Sequence, residues 1–145
     1  MKREFPESPL VGVGAVIVKD GRVLLIRRGQ APLLGEWSLP GGVMECGETL
    51  RDATIREARE ETGLTVEVGE ILGVYERLIR SEDGRVRYHY VLIDFLCRAG
   101  GGELKAGSDA AEAGWFRLEE LPALKLAYDA NDVVLKALTR ASIQA

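Results

Sequence analysis

Residues 42–64 read GVMECGETLRDATIREAREETGL, and the reading of the whole chain turns on them. Between Thr49 and Thr62 there is no Gly or Pro, the composition favours helix, and Gly63 stands where a left-handed cap would end it. At about 100° per residue, Glu60 and Glu61 fall about 60° and 40° either side of Glu57. Three carboxylates therefore share an arc of roughly 100°. Leu50 and Ala53 fall inside that arc, whereas Asp52, Arg56 and Arg59 fall on the other side. Like charges at i, i+3 and i+4 repel by a few tenths of a kcal/mol each, so stability alone does not select them. Carboxylates on a half-apolar side need cations, and hard oxygen ligands suit Mg²⁺ or Mn²⁺. A charge run standing alone is usually a solvated face, with Arg56 and Glu60 as an ordinary i,i+4 pair. This run does not stand alone.

Ahead of it, Val11, Val13, Ala15 and Ile17 alternate with Gly12, Gly14, Val16 and Val18, so Leu10–Lys19 is predicted as a strand buried on both faces. Asp20-Gly21 supplies a tight hairpin turn to a return strand, Arg22–Arg28. A loop with Gly29, Pro32 and Gly35 leads to a short extended piece, Glu36–Leu39, closed by Pro40-Gly41-Gly42. Beyond the helix, Leu64–Val68 and Glu70–Arg80 read as strand, Glu82-Asp83-Gly84 as a turn, and Arg85–Cys97 as a long return strand. Gly100-Gly101-Gly102 and the polar stretch Lys105–Glu112 read as loop. Trp115-Phe116 is a final strand, and Ala130–Ala141 a helix with Val133, Val134 and Ala137 on one side. This order predicts an α/β fold, a mixed sheet with helices packed on it.

The 145 residues suit one domain, which buries roughly 70% of the surface its unfolded chain exposes. With 46% apolar and 29% charged residues, a disordered or fibrous chain is excluded. No apolar run approaches the ~20 residues that span a bilayer. The N-terminus lacks the apolar core of a signal peptide, so a cytoplasmic location and no membrane partner are expected. Cys46 and Cys97 share no metal-ligand spacing and read as free thiols. The net charge of −4 is a poor balance for holding long nucleic acid, but a small anionic substrate remains compatible if divalent metal reverses the local field.

Residues 42–64 resemble the signature of the Nudix hydrolase family: a Gly, a Glu six residues on, then Arg-Glu-apolar-x-Glu-Glu-x-Gly-apolar. The matching positions are Gly42, Glu48, Arg56, Glu57, Ala58, Glu60, Glu61, Gly63 and Leu64, with Ala58 smaller than the usual aliphatic residue. A chance match has a probability on the order of 10⁻⁹ per starting position, which outweighs the solvated-face reading. GEWSLPGG before the box, the glycine-punctuated first strand and Trp115-Phe116 before a helix extend the likeness over about residues 10–140. The resemblance implies an α/β/α sandwich with a central mixed sheet, and one Nudix domain over 1–145. It also implies metal-dependent hydrolysis of a phosphoanhydride in a nucleoside diphosphate derivative.

Within the family the chain is similar to small ADP-ribose pyrophosphatases, which implies ADP-ribose as substrate and AMP with ribose 5-phosphate as products. The other readings are a nucleoside triphosphate pyrophosphatase of the nucleotide-cleansing type and, in another class, a non-catalytic nucleotide-sensing module. Dimers are common among relatives of the ADP-ribose type, so a homodimer is one expected assembly.

By the same resemblance Glu57 and Glu61 are the principal metal ligands, Glu60 is a ligand or base, and the Gly41 carbonyl completes part of the shell. Arg56 holds the glutamates and pairs with Glu48, while Gly42 and Gly63 permit tight turns. Some members place the general base on a late loop, for which Glu112 is favoured over Asp109. Glu119 and Glu120 read as first-turn helix residues. Arg27 and Arg28 end a strand on opposite faces, and one of them is expected to reach a substrate phosphate. Trp37 is either a base-stacking ring or a strand aromatic, and His89 a sheet residue.

Overall fold

The computed structural model describes residues 2–30 and 33–144; Pro32, expected in the loop after the first hairpin, lies outside them. Among the described residues the strands are β1 (Leu10–Lys19), β2 (Arg22–Arg28), β3 (Trp37–Ser38), β4 (Gly41–Val43), β5 (Leu64–Arg80), β6 (Val86–Gly102) and β7 (Ala110–Phe116). The helices are α1 (Leu50–Thr62) and α2 (Asn131–Gln144), with a 3-10 turn at Leu118–Ala123. The seven strands form one mixed sheet with the order β3-β2-β1-β6-β5, β4 pairing β1 and β7 pairing β2.

β1 is central because both of its faces are apolar, and Gly12–Val18 is buried throughout. Val13, Ala15 and Ile17 join Leu24, Ala53, Ala58 and Phe95 in the core under α1. Val16 and Val18 join Val23, Leu25, Leu121, Val133, Val134 and Ala137 in the core under α2. Period-2 geometry thus builds both layers of the sandwich from one strand.

The hairpin turns at Asp20 and Gly21 with φ of 52° and 74°, the two positive values that suit the twist of the strands. β1 and β2 pair only at Val18–Val23 and Lys19–Arg22, then part. β2 goes on to pair with β7 and β3. Into the gap comes β4, antiparallel to β1 from Gly12–Val43 to Gly14–Gly41. On its other edge β1 runs parallel to β6, Leu10 opposite Tyr90 through Val18 opposite Arg98.

Three expected boundaries change. Leu64–Arg80 is one strand, with register breaks between Val68 and Gly73 where two strands were expected. Gly100–Gly102, expected as a loop, continues β6, because β5 starts straight after the helix and Leu64 and Thr65 pair with Gly102 and Gly101. The last strand begins at Ala110 and takes in residues assigned to the polar loop, since β2 offers it an edge from Val23 to Arg28.

Candidate active site

α1 is positioned at both ends by its own sequence. Thr49 Oγ1 accepts from the Asp52 N–H at 3.1 Å, and Gly63, at φ 78°, donates its N–H to the Arg59 carbonyl. Ala53 and Ala58 let the helix lie close on the sheet, and the Thr54 and Thr62 hydroxyls bond back to the carbonyls four residues earlier.

The three helix glutamates lean toward the sheet unequally. Glu61 is 5% exposed, the Glu57 side chain 14% and that of Glu60 46%. Glu61 Oε1 accepts the Gly41 N–H at 2.7 Å. Burial pushes the Glu61 carboxyl up to about 7, against the lowering effect of that bond, and the charges of Glu57 and Asp109 push the same way. Burial raises Glu57 also, opposed by Arg56. A Cβ on Gly42 would stand 2.6 Å from Glu57 Cδ, so Gly42 is needed for close approach of this carboxylate. Its φ is not positive, so the tight-turn role expected for it is corrected; Gly63 does have that role.

Arg56 joins the box together. Its Nε and Nη2 donate to the two Glu48 oxygens at 2.7 and 2.9 Å, a two-pronged bond. Nη1 donates to Glu57 at 2.8 Å and to Glu60 at 3.4 Å, and Nη2 reaches the Val43 carbonyl at 3.2 Å. The guanidinium holds the Glu48 carboxyl down at about 2. One cation therefore ties the entry loop, the β4 backbone and two helix carboxylates.

Beside the Gly41–Gly42 backbone lies a cleft of about 420 Å³ on the α2 face of the sheet, lined among others by Gly14, Arg28, Leu92, Asp94, Tyr128 and Val133. Arg28 and Arg77 both line it; the charge of Arg28 is felt at Glu61, and its buried Nε has no hydrogen-bond partner among the described residues. Arg27 does not line the cleft. It is paired across strands with Glu112 at 2.9 Å.

Glu112 thus sits in β7 rather than on a loop, half exposed and held by Arg27. The expectation that favoured it fails because β7 starts earlier than its sequence suggests. Asp109, in the turn just before β7, is the late acid whose charge reaches Glu61. Glu119 and Glu120 do fall in a first turn, that of the 3-10 segment. Trp37 packs edge-on against Phe116 at 5.0 Å on the α2-side core, and His89 lies within β6 opposite Leu78. Cys46 is exposed, Cys97 buried, and both are free.

One cleft residue was not anticipated. Asp94, in the middle of β6, is 7% exposed and has no hydrogen bond or ion pair with any described residue, and burial pushes its carboxyl up to about 6. The signal was present, since Asp94 is the one acid in the strand YHYVLIDFLC.

The donor set suits a hard divalent cation. Glu57 and Glu61 offer oxygen only, their desolvation penalises a bare negative charge, and both face the Gly41–Gly42 backbone. Among the described residues no three acidic, His or Cys side chains already converge into a closed cage, so carbonyl oxygen or water would have to complete the shell.

This fold, carrying this helix, defines a family. The chain matches the NUDIX domain over residues 8–138 and belongs to the Nudix hydrolases. It is a pyrophosphohydrolase of that family. It is 47% identical over 126 residues to an ADP-ribose pyrophosphatase of Methanocaldococcus jannaschii, covering 87% of this chain and 71% of that one. An 8-oxo-dGDP phosphatase of Mus musculus is 38% identical over 120 residues, 80% of this chain and 34% of its own length. Among solved structures, a MutT Nudix hydrolase from Burkholderia pseudomallei superposes with a TM-score of 0.77 at 36% identity, covering 90% of this chain and 98% of that one. Nudix hydrolases act on small nucleotides and generally need divalent metal, usually Mg²⁺. No helix among the described residues is long and apolar enough to cross a membrane.

Proposed function

We propose that this protein, as a single Nudix domain, hydrolyses ADP-ribose to AMP and ribose 5-phosphate with Mg²⁺. The observation that carries the reading is the pair of desolvated carboxylates, Glu57 and Glu61, set against the Gly41–Gly42 backbone, which lines a cleft that also holds Arg28. The 47% identity to an ADP-ribose pyrophosphatase supports the choice of substrate.

Glu57 and Glu61 with the Gly41 carbonyl would hold the metal, and Glu60, more exposed, would serve at the edge of the shell. Bound there, a divalent ion supplies charge neutralisation of the diphosphate and a lowered pKa for water. Arg56 fixes the aim of Glu57 and anchors the loop through Glu48. Arg28 supplies the planar fork for a phosphate oxygen. Asp109, on the turn before β7, acts on Glu61 through its charge and is the late-loop acid suited to take a proton from the attacking water. Water adds to one phosphorus, the P–O–P bridge breaks, and the other phosphoryl group leaves with the bridging oxygen; no covalent enzyme intermediate forms.

A triphosphate brings more negative charge to a cleft that already carries Asp94, beside the Gly41–Gly42 backbone that Glu57 and Glu61 face. Incubating equal ADP-ribose and dGTP with enzyme and Mg²⁺, then separating AMP from dGMP, tests the choice. AMP is expected to dominate. Dominant dGMP would move the protein to the nucleotide-cleansing class, and binding of ADP-ribose with no product would favour the sensing module.

A further inference from the structure

Asp94 has no role in the reaction just described, yet its setting is built. Partners across the sheet place Gly73, Asp94, Gly14 and Gly41 in one row over β5, β6, β1 and β4. A Cβ at Gly14 would overlap the Asp94 carboxylate, so the side chain lies across Gly14 toward β4. On its other side the Tyr75 ring leans back over Gly73. The row ends at Gly41, whose N–H holds Glu61. Strands spaced ~4.8 Å apart put the backbone of Asp94 about 10 Å from Gly41.

A carboxylate that is more than nine-tenths buried, aimed into a cleft and without a partner is costly, and such a group is kept where a ligand satisfies it. The surroundings define that ligand. Arg28 and the Gly41–Gly42 backbone mark the phosphate end. Around Asp94 the cleft carries the apolar and aromatic side chains Leu39, Leu92, Val133, Tyr75 and Tyr128 over a glycine floor. Glu76, Arg77, Asp129 and Asp132 also line it. A flat ring with an N–H donor on its edge fits against those aromatic and apolar side chains. An ionised carboxyl only accepts, so the partner must donate.

We infer that Asp94 is a specificity-determining residue that accepts a hydrogen bond from the exocyclic amino group of a purine base. This rests on the nucleotide-hydrolase reading and adds to it which end of the substrate is read, and by what. The amine is at position six in adenine and position two in guanine. Hypoxanthine carries neither amine; its N1–H still donates on that edge, but at position six it sets a carbonyl where the adenine amine would meet the carboxylate. Sites built to bond a ligand donor reject analogues that lack it, because their own buried group is then left unpaired.

Calorimetric titration of the intact protein in Mg²⁺ with AMP, GMP and IMP reads the inference without turnover. AMP is expected to bind at least ~10-fold more tightly than IMP. Asp94→Asn, whose amide can donate to a carbonyl, is expected to shrink that ratio to near one or invert it. Discrimination confined to GMP over IMP, and lost in Asp94→Asn, upholds the amine and moves it to position two. Equal affinities for all three, or a ratio that Asp94→Asn leaves unchanged, overturns the assignment. Should Asp94→Asn fail to fold, Asp94→Ala removes the acceptor in less space and decides by the same ratio. A protein that discriminates AMP from IMP but does not cleave ADP-ribose would refute the proposed reaction while leaving Asp94 in place.

Discussion

The Glu57 carboxylate occupies the space that a side chain on Gly42 would fill, its Cδ 2.6 Å from where that Cβ would stand. The first glycine of the box and its second glutamate are thus one device, fifteen residues apart. Gly42→Ala is expected to push Glu57 off its position and lower kcat on the order of 10²-fold, the size of effect that a misplacement of about 1 Å produces. Steady-state kinetics with a thermal midpoint tests it. Near-wild-type turnover would show that Glu57 need not stay where it is.

Glu61 sets a pH dependence of stability. Its carboxyl lies at about 7 in the fold against an ordinary 4.5, with Gly41 N–H, Arg28, Glu57 and Asp109 acting on it. Between those values the folded state binds more protons than the unfolded, so metal-free stability falls as pH rises from about 4.5 to 7. The full loss is roughly 3 kcal/mol, since each tenfold change in proton affinity is worth about 1.4 kcal/mol. Glu61→Gln should flatten that slope and leave the metal-free protein more stable at pH 8, yet with kcat down by orders of magnitude. Urea unfolding at several pH values in chelator reads the slope. Mg²⁺ should stabilise wild type more at pH 8 than at pH 5, and not stabilise Glu61→Gln.

Arg56 should not tolerate lysine. The two-pronged bond to Glu48 and the third bond to Glu57 use the planar fork, which a point charge cannot supply. Arg56→Lys and Glu48→Gln should each lower kcat, and the double variant should lose little beyond the worse single one, because both break the same link. Strict additivity in that cycle would show that the pair does not act as a unit.

The late acids separate cleanly. Asp109→Asn should lower kcat by ~10²-fold or more if it takes the proton, as measured by steady-state kinetics. Glu112→Gln removes only an exposed strand pair to Arg27 and should leave turnover close to wild type. A larger loss from Glu112→Gln than from Asp109→Asn would reverse the assignment.

Local chemistry made much of this legible before any fold. A breaker-free run capped by Gly63 could only be a helix, a doubly apolar β1 could only be central, and Asp20-Gly21 could only turn. The acidic arc followed from helical period alone. Non-local pairing was hidden, because it depends on which edge is offered by a distant segment. That is why Gly100–Gly102 became strand, why β7 reached back to Ala110, and why Glu112 left the loop for a place opposite Arg27.

The amino-acid sequence by itself determined the helix, the identity of its charged face and the family to which it belongs, since these rest on residue identities and spacings along the chain, chiefly the continuous stretch Gly42–Leu64. Tertiary structure alone decided the order among the acids. Glu61 is buried and Glu60 is not because α1 turns Glu61 onto β4, where it accepts the Gly41 N–H, and leaves the Glu60 side chain half exposed. It also decided that Arg28 rather than Arg27 faces the cleft, that Asp109 rather than Glu112 stands by Glu61, and that Asp94 is stranded on the cleft floor. Each of those outcomes depends on desolvation and on partners brought from across the sheet, and a one-dimensional pattern carries neither.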